Sequence, residues 1–115
     1  MRENTDFWQA LDTLAAEHEL VIDRPAGSAH PRFPSFVYPL DYGYLRGTSS
    51  ADGGGIDVWR GTKPGTRINA IAVIVDLLKR DSEIKLLMGC TEDEIAMIDR
   101  IHNENERMKG MLVRR

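Results

Sequence analysis

At 115 residues the chain has the size of one small domain with a single hydrophobic core, and residues 1–115 are expected to form it. A hydrophobic fraction of 42% with 29% charged residues excludes a disordered chain, and the net charge of −3 offers no overall attraction to nucleic acid or to an anionic membrane. No apolar run is long enough to span a bilayer and no basic-then-apolar leader is read at the start, so a cytoplasmic protein is expected. Cys90 is the only cysteine, which excludes an internal disulfide and a C-x-x-C metal site and leaves a reduced, buried thiol.

The opening segment, NTDFWQALDTLAAEHE, sets Phe7, Trp8, Leu11, Leu14 and Ala15 on one helical face, suited to covering one side of the domain. ELVIDRP reads as a short strand ended by Pro25. From Arg24 to Gly55, prolines and glycines recur too often for a helix and break the chain into short extended pieces and turns. Within that stretch FVYPLDYGYL reads as a strand that pauses at Pro39, ADGGG as a turn and IDVWRG as a second short strand. INAIAVIVDLL and EIKLLMGC read as two strands buried on both faces and joined by KRDS as a hairpin, because their branched residues favour strand over helix. Thr91 with Glu94 fits a capping box, and Ile95, Ile98, Ile101 and Met108 follow at helical spacing until Gly110. Together these elements predict an α+β fold: a small, mainly antiparallel β-barrel or strongly curved sheet with an N-terminal and a C-terminal helix.

Residues 38–59, YPLDYGYLRGTSSADGGGIDVW, carry the densest potential chemistry. Tyr38, Tyr42 and Tyr44 are followed by Asp52 and Asp57, which flank three glycines. Two carboxylates on a flexible turn can aim at one hard cation, and tyrosine hydroxyls can donate to phosphate oxygens. From residue types alone, an ordinary surface turn with locally bonded aspartates fits at least as well.

The pattern resembles the soluble, magnesium-dependent inorganic pyrophosphatases, whose core carries a YP-x-NYGY-like segment and then a D-x-D-P-x-D signature. The resemblance covers about Leu20 to Gly61 and extends more weakly through the hairpin to Cys90. It implies an OB-like barrel and hydrolysis of pyrophosphate with Mg²⁺. Metal carboxylates would be Asp52, Asp57 and Glu83; Arg32, Tyr42, Lys85 and Lys109 would face phosphate, and Asp57 and Tyr42 would lie at the chemistry. It also maps Asp23 to an acidic strand residue and implies a homo-oligomer. The chain departs from the family where Gly54 replaces the signature's central aspartate and Gly55 its proline, and where Met108-Lys109 keeps only the lysine of a Tyr-Lys pair. A second function is therefore carried alongside the first: a catalytically weak or inactive member of the fold that binds a phosphorylated ligand or a protein partner.

Residue-level alternatives stand beside these roles. Glu83 and Lys85 share one face of a strand and could form a surface ion pair. Asp23 could be solvated, Arg32 could pair with a surface carboxylate, and Tyr38 and Tyr44 could pack the core. His18, His30 and His102 are too far apart in sequence to support a histidine metal site.

Overall fold

The structure, a computed structural model, describes residues 5–50 and 53–115. The opening amphipathic segment forms helix α1 (Thr5–Glu17), with Trp8 and Ala15 buried and Leu11 and Leu14 half-buried. Phe7, expected on the same face, is 45% exposed and meets Trp8 edge-on. Five strands follow: β1 (Leu20–Arg24), β2 (Asp41–Leu45), β3 (Ile56–Arg60), β4 (Ile68–Asp76) and β5 (Asp81–Met88). Helix α2 (Glu92–Ile101) and strand β6 (Met108–Arg114) complete the chain.

The six strands make one sheet in the order β1-β2-β3-β5-β4-β6, antiparallel except where β3 meets β5. Of the two forms expected, a closed barrel or a curved sheet, the strands adopt the open one: no ladder joins β1 to β6 among the described residues. The extended stretch before β2 makes one isolated bridge, Ala29 to Val37, and the ladder resumes after Pro39, as the missing proline N–H requires.

Strand alternation divides the core into two layers. Val58, Ile71, Leu86 and Met88 face α1 with Trp8 and Ala15. Trp59, Ala70, Ala72, Ile74 and Leu87 face α2 with Ile95 and Ile98. This explains the near-continuous apolar runs of β4 and β5, since each face has a helix to meet.

The Thr91–Glu94 capping box forms at the start of α2, with Thr91 Oγ1 accepting from the Glu94 N–H and Glu94 Oε1 accepting from the Thr91 N–H. The helix does not run to Gly110. It stops at Ile101, and the segment containing Met108 and Lys109 is a strand paired along its length with β4. Asn103 explains the break: its side chain donates to the Asp99 and Gly110 carbonyls and accepts from the Gly110 N–H, tying the helix end to the strand. Asn105 then accepts from the Arg107 and Met108 N–H groups and closes the turn. Ladder hydrogen bonds to β4 outweigh the helical spacing of one methionine.

Gly43 fixes how closely β1 and β2 approach. It pairs with Ile22 and Val58, and a Cβ there would run into the Val21 carbonyl of β1. Gly43→Ala is expected to destabilise the fold by about 1–3 kcal/mol, the usual cost of overpacking. A urea midpoint equal to that of the wild type would contradict this.

Candidate functional site

A cleft of about 570 Å³ opens on the α2 face of the sheet, between the strand ends and the loop that precedes β2. Its charged centre is Lys85 of β5. The parallel register pairs Val58 with Leu86, so one residue back along each strand Asp57 and Lys85 lie side by side. Lys85 Nζ donates to Tyr42 Oη at 2.6 Å and to Asp57 Oδ2 at 3.1 Å, and pairs with Glu83 Oε1 at 2.8 Å. The Lys85 side chain is 9% exposed, against 14% for Glu83 and 28% for Asp57, so the carboxylates connect the buried ammonium to solvent.

Burial alone would lower the Lys85 pKa, but the Tyr42 oxygen and the Asp57 and Glu83 carboxylates outweigh it and hold the value above the ordinary lysine range. Burial also pushes the Tyr42 phenol well above its usual value, with Lys85 opposing and Asp57 reinforcing the shift. At neutral pH the cleft therefore presents a charged ammonium and a neutral phenol.

Aromatic packing holds these groups in place. The Tyr42 ring lies 4.6 Å from Trp59 and 5.4 Å from Tyr38. The buried Trp59 donates its Nε1–H to His102 Nε2 at 3.1 Å. Indole nitrogen can only donate, so His102 is the tautomer with its proton on Nδ1. Burial, with a smaller contribution from Lys85, lowers the His102 pKa from 6.5 to about 4. Because the folded value lies below the unfolded one, this contribution is complete above about pH 6.5 and is lost as pH falls toward 4. A loss of about 3 kcal/mol across that window is expected, and His102→Gln, which can still accept from Trp59, should flatten that limb of the stability profile. Parallel wild-type and variant profiles would show that His102 is not the titrating group.

Of the residues singled out in the sequence, Tyr42, Asp57, Glu83 and Lys85 meet in the cleft, with Tyr38 and Asp23 in its lining. Asp52 lies outside the described residues. Arg32 is exposed and does not line the cleft, although its chain neighbours His30 and Phe33 flank the opening; its N–H donates to His30 Nδ1. Lys109 does not line the cleft either: it pairs with Val75 on the α1 face of the sheet and bonds the Asn103 carbonyl. Gly54 sits in the turn before β3 and is not part of the lining.

The structure adds Arg24, His30, Phe33, Phe36, Trp59, Asp76, Lys79, His102 and Asn105 to the cleft. The D-R-P end of β1 was the one local signal for Arg24. His102 and Asn105 arrive through the turn that replaces the expected end of α2. Asp76 accepts from the Leu78 and Lys79 N–H groups, so it is also the residue that shapes the hairpin turn.

The resemblance also implies magnesium. Among the described residues no three His, Cys, Asp or Glu side chains converge as a metal site, and the Lys85 ammonium already bridges Asp57 and Glu83. Asp52, the third carboxylate of the expected metal set, lies outside the described residues. Cys90 offers no substitute: burial pushes its thiol up to about 12, leaving it protonated and packed against the Trp59 and Met88 carbonyls. No helix among the described residues is long and apolar enough to cross a membrane.

No protein-family model and no curated protein matches the chain. Solved structures do. An inorganic pyrophosphatase from Neisseria gonorrhoeae superposes with a TM-score of 0.60 over 78% of this chain and 77% of that one, at 18% identity. An inorganic phosphatase from Anaplasma phagocytophilum does so with a TM-score of 0.55 over 83% and 81% of the two chains, at 14% identity. At these identities the likeness establishes the fold alone: the chain is a compact α+β protein with the architecture of those two structures.

Proposed function

We propose that the cleft hydrolyses a phosphoanhydride, pyrophosphate or a related compound, taken up as its magnesium complex. The single observation that carries this reading is Lys85, buried and charged between Asp57, Glu83 and Tyr42 in the lining of the cleft. Four carboxylates (Asp23, Asp57, Asp76, Glu83) face three cations (Arg24, Lys79, Lys85) across the lining. A bare polyanion would meet a net negative wall, whereas a magnesium-neutralised one would not. In this reading magnesium arrives with the substrate, which offsets the negative balance of the lining.

In this scheme Lys85 and the Tyr42 phenol donate to phosphate oxygens, and Asp57 accepts a proton from the attacking water. The water oxygen bonds to one phosphorus as the bridging P–O bond breaks, and the departing phosphate takes the electron pair. Steady-state phosphate release from pyrophosphate tests the reading. Release that needs Mg²⁺ is expected; release unaffected by chelation would remove the magnesium complex from the reading, and no release at all would sink the hydrolase. A second reading, a binder without turnover, is favoured by Gly54, which stands where the resemblance places a catalytic aspartate and lies outside the cleft lining. Magnesium-dependent binding without release would identify it.

We also infer self-association in a cytoplasmic setting. Ile84, Met111 and Val113 lie beside β4 on the α1 face and, with Val75, are 37–63% exposed, a surface suited to a second copy. Light scattering should give a multiple of the 13.0 kDa chain mass, reduced by Met111→Lys; a monomer would remove the idea.

A further inference from the structure

The cleft is larger and more aromatic than pyrophosphate alone requires. Its volume of about 570 Å³ lies in the range of pockets that enclose drug-sized ligands, whereas pyrophosphate has only a few heavy atoms. Lys85, Asp57 and Glu83 make one part of the lining. Another part is an aromatic shelf built by the loop before β2: His30, Phe33, Phe36 and Tyr38.

This shelf is ordered by its own contacts. The His30 ring stacks on Tyr38 at 6.1 Å with 9° between planes, and lies 5.1 Å from Phe33. His30 Nδ1 accepts from the backbone N–H groups of Arg32 and Phe33 at 3.0 and 3.2 Å, which leaves the ring proton on Nε2. Phe36 meets Tyr38 edge-on at 5.1 Å. Phe33 nevertheless remains 56% exposed while lining the cleft, an unusual position for a phenylalanine with only core duties. The shelf continues without a break into the site, from Tyr38 to Tyr42 at 5.4 Å and from Tyr42 to Lys85.

We propose that the ligand of this cleft is a nucleoside polyphosphate, its base stacked on the Phe33–His30 shelf and its phosphoanhydride at Lys85 and Tyr42. This rests on the assignment of the Lys85 end to a phosphoanhydride and specifies what that group is attached to. The aromatic face suits any base, because stacking needs only a π-surface. Arg24 and Lys79, both in the lining, supply further charge along a polyphosphate chain longer than pyrophosphate.

Calorimetric titration in excess Mg²⁺ with methylenediphosphonate and with α,β-methylene-ADP, both resistant to hydrolysis, tests the inference. The nucleotide analogue is expected to bind at least about tenfold more tightly than methylenediphosphonate, in line with base–aromatic stacking. Phe33→Ala should bring the ratio of the two affinities close to one. Phe33 is exposed, so the variant is expected to fold, and its far-UV circular dichroism checks this. Equal affinities in the wild type, or a wild-type ratio that survives in Phe33→Ala, would overturn the inference while leaving the phosphoanhydride site standing. Failure of both analogues to bind would overturn the site as well. Binding of the nucleotide analogue alone would uphold the shelf and exclude pyrophosphate as the ligand.

Discussion

Lys85→Met is expected to destabilise the protein by about 3–5 kcal/mol at neutral pH, toward the lower figure because Asp57 keeps some solvent contact. The ammonium is the shared partner of two carboxylates and a phenol, and methionine fills the volume but supplies no charge. Asp57 and Glu83 would then face each other in a site too dry to screen them. Adding Glu83→Gln to Lys85→Met should recover part of the loss, which distinguishes charge burial from lost packing. The folded Lys85 pKa lies above the unfolded one, so its stabilisation is complete below the ordinary lysine value of about 10.4 and is lost as pH rises beyond it. Chemical denaturation at neutral and strongly alkaline pH should therefore show the wild type converging on Lys85→Met only at the alkaline end. A variant as stable as the wild type at neutral pH would mean that the ammonium does not hold this site together.

Asp57→Asn is expected to lower phosphate release by about 10²–10⁴-fold, the usual contribution of a positioned general base. The amide has nearly the shape of the carboxylate and can still accept from Lys85, which also keeps Glu83, so the fold should survive. Measuring release at saturating magnesium pyrophosphate, alongside the urea midpoint, separates chemistry from folding. A folded Asp57→Asn within about tenfold of wild type would assign proton abstraction to another group.

Much of the fold was legible because its determinants are local. The capping box at Thr91 and Glu94, the paired apolar runs of β4 and β5, and the proline that interrupts the ladder before β2 all depend on neighbouring residues. Glu83 and Lys85 also fall on one strand face, as a period of two demands. The remainder depends on contacts between distant segments. Nothing near Val58 in the chain announces that β3 pairs in parallel with Leu86 of β5, yet this pairing puts Asp57 beside Lys85. The spacing of Ile98, Ile101 and Met108 is compatible with a helix as far as Gly110, while Asn103 and the β4 edge make Met108–Gly110 the start of β6. The same turn brings His102 against Trp59 and Asn105 into the cleft. Arg32 and Lys109 illustrate the opposite limit: residues mapped by likeness to a motif, which the loop and the strand pleat carry outside the lining.

Crystallisation with Mg²⁺ and methylenediphosphonate tests the central claim most directly, because it locates the ligand independently of turnover. Density for the diphosphonate is expected within hydrogen-bonding distance of Lys85 Nζ and Tyr42 Oη, with magnesium on the ligand oxygens. A well-occupied diphosphonate bound elsewhere, with the Lys85–Asp57–Glu83 cluster unchanged and its cleft filled only by solvent, would contradict the assignment.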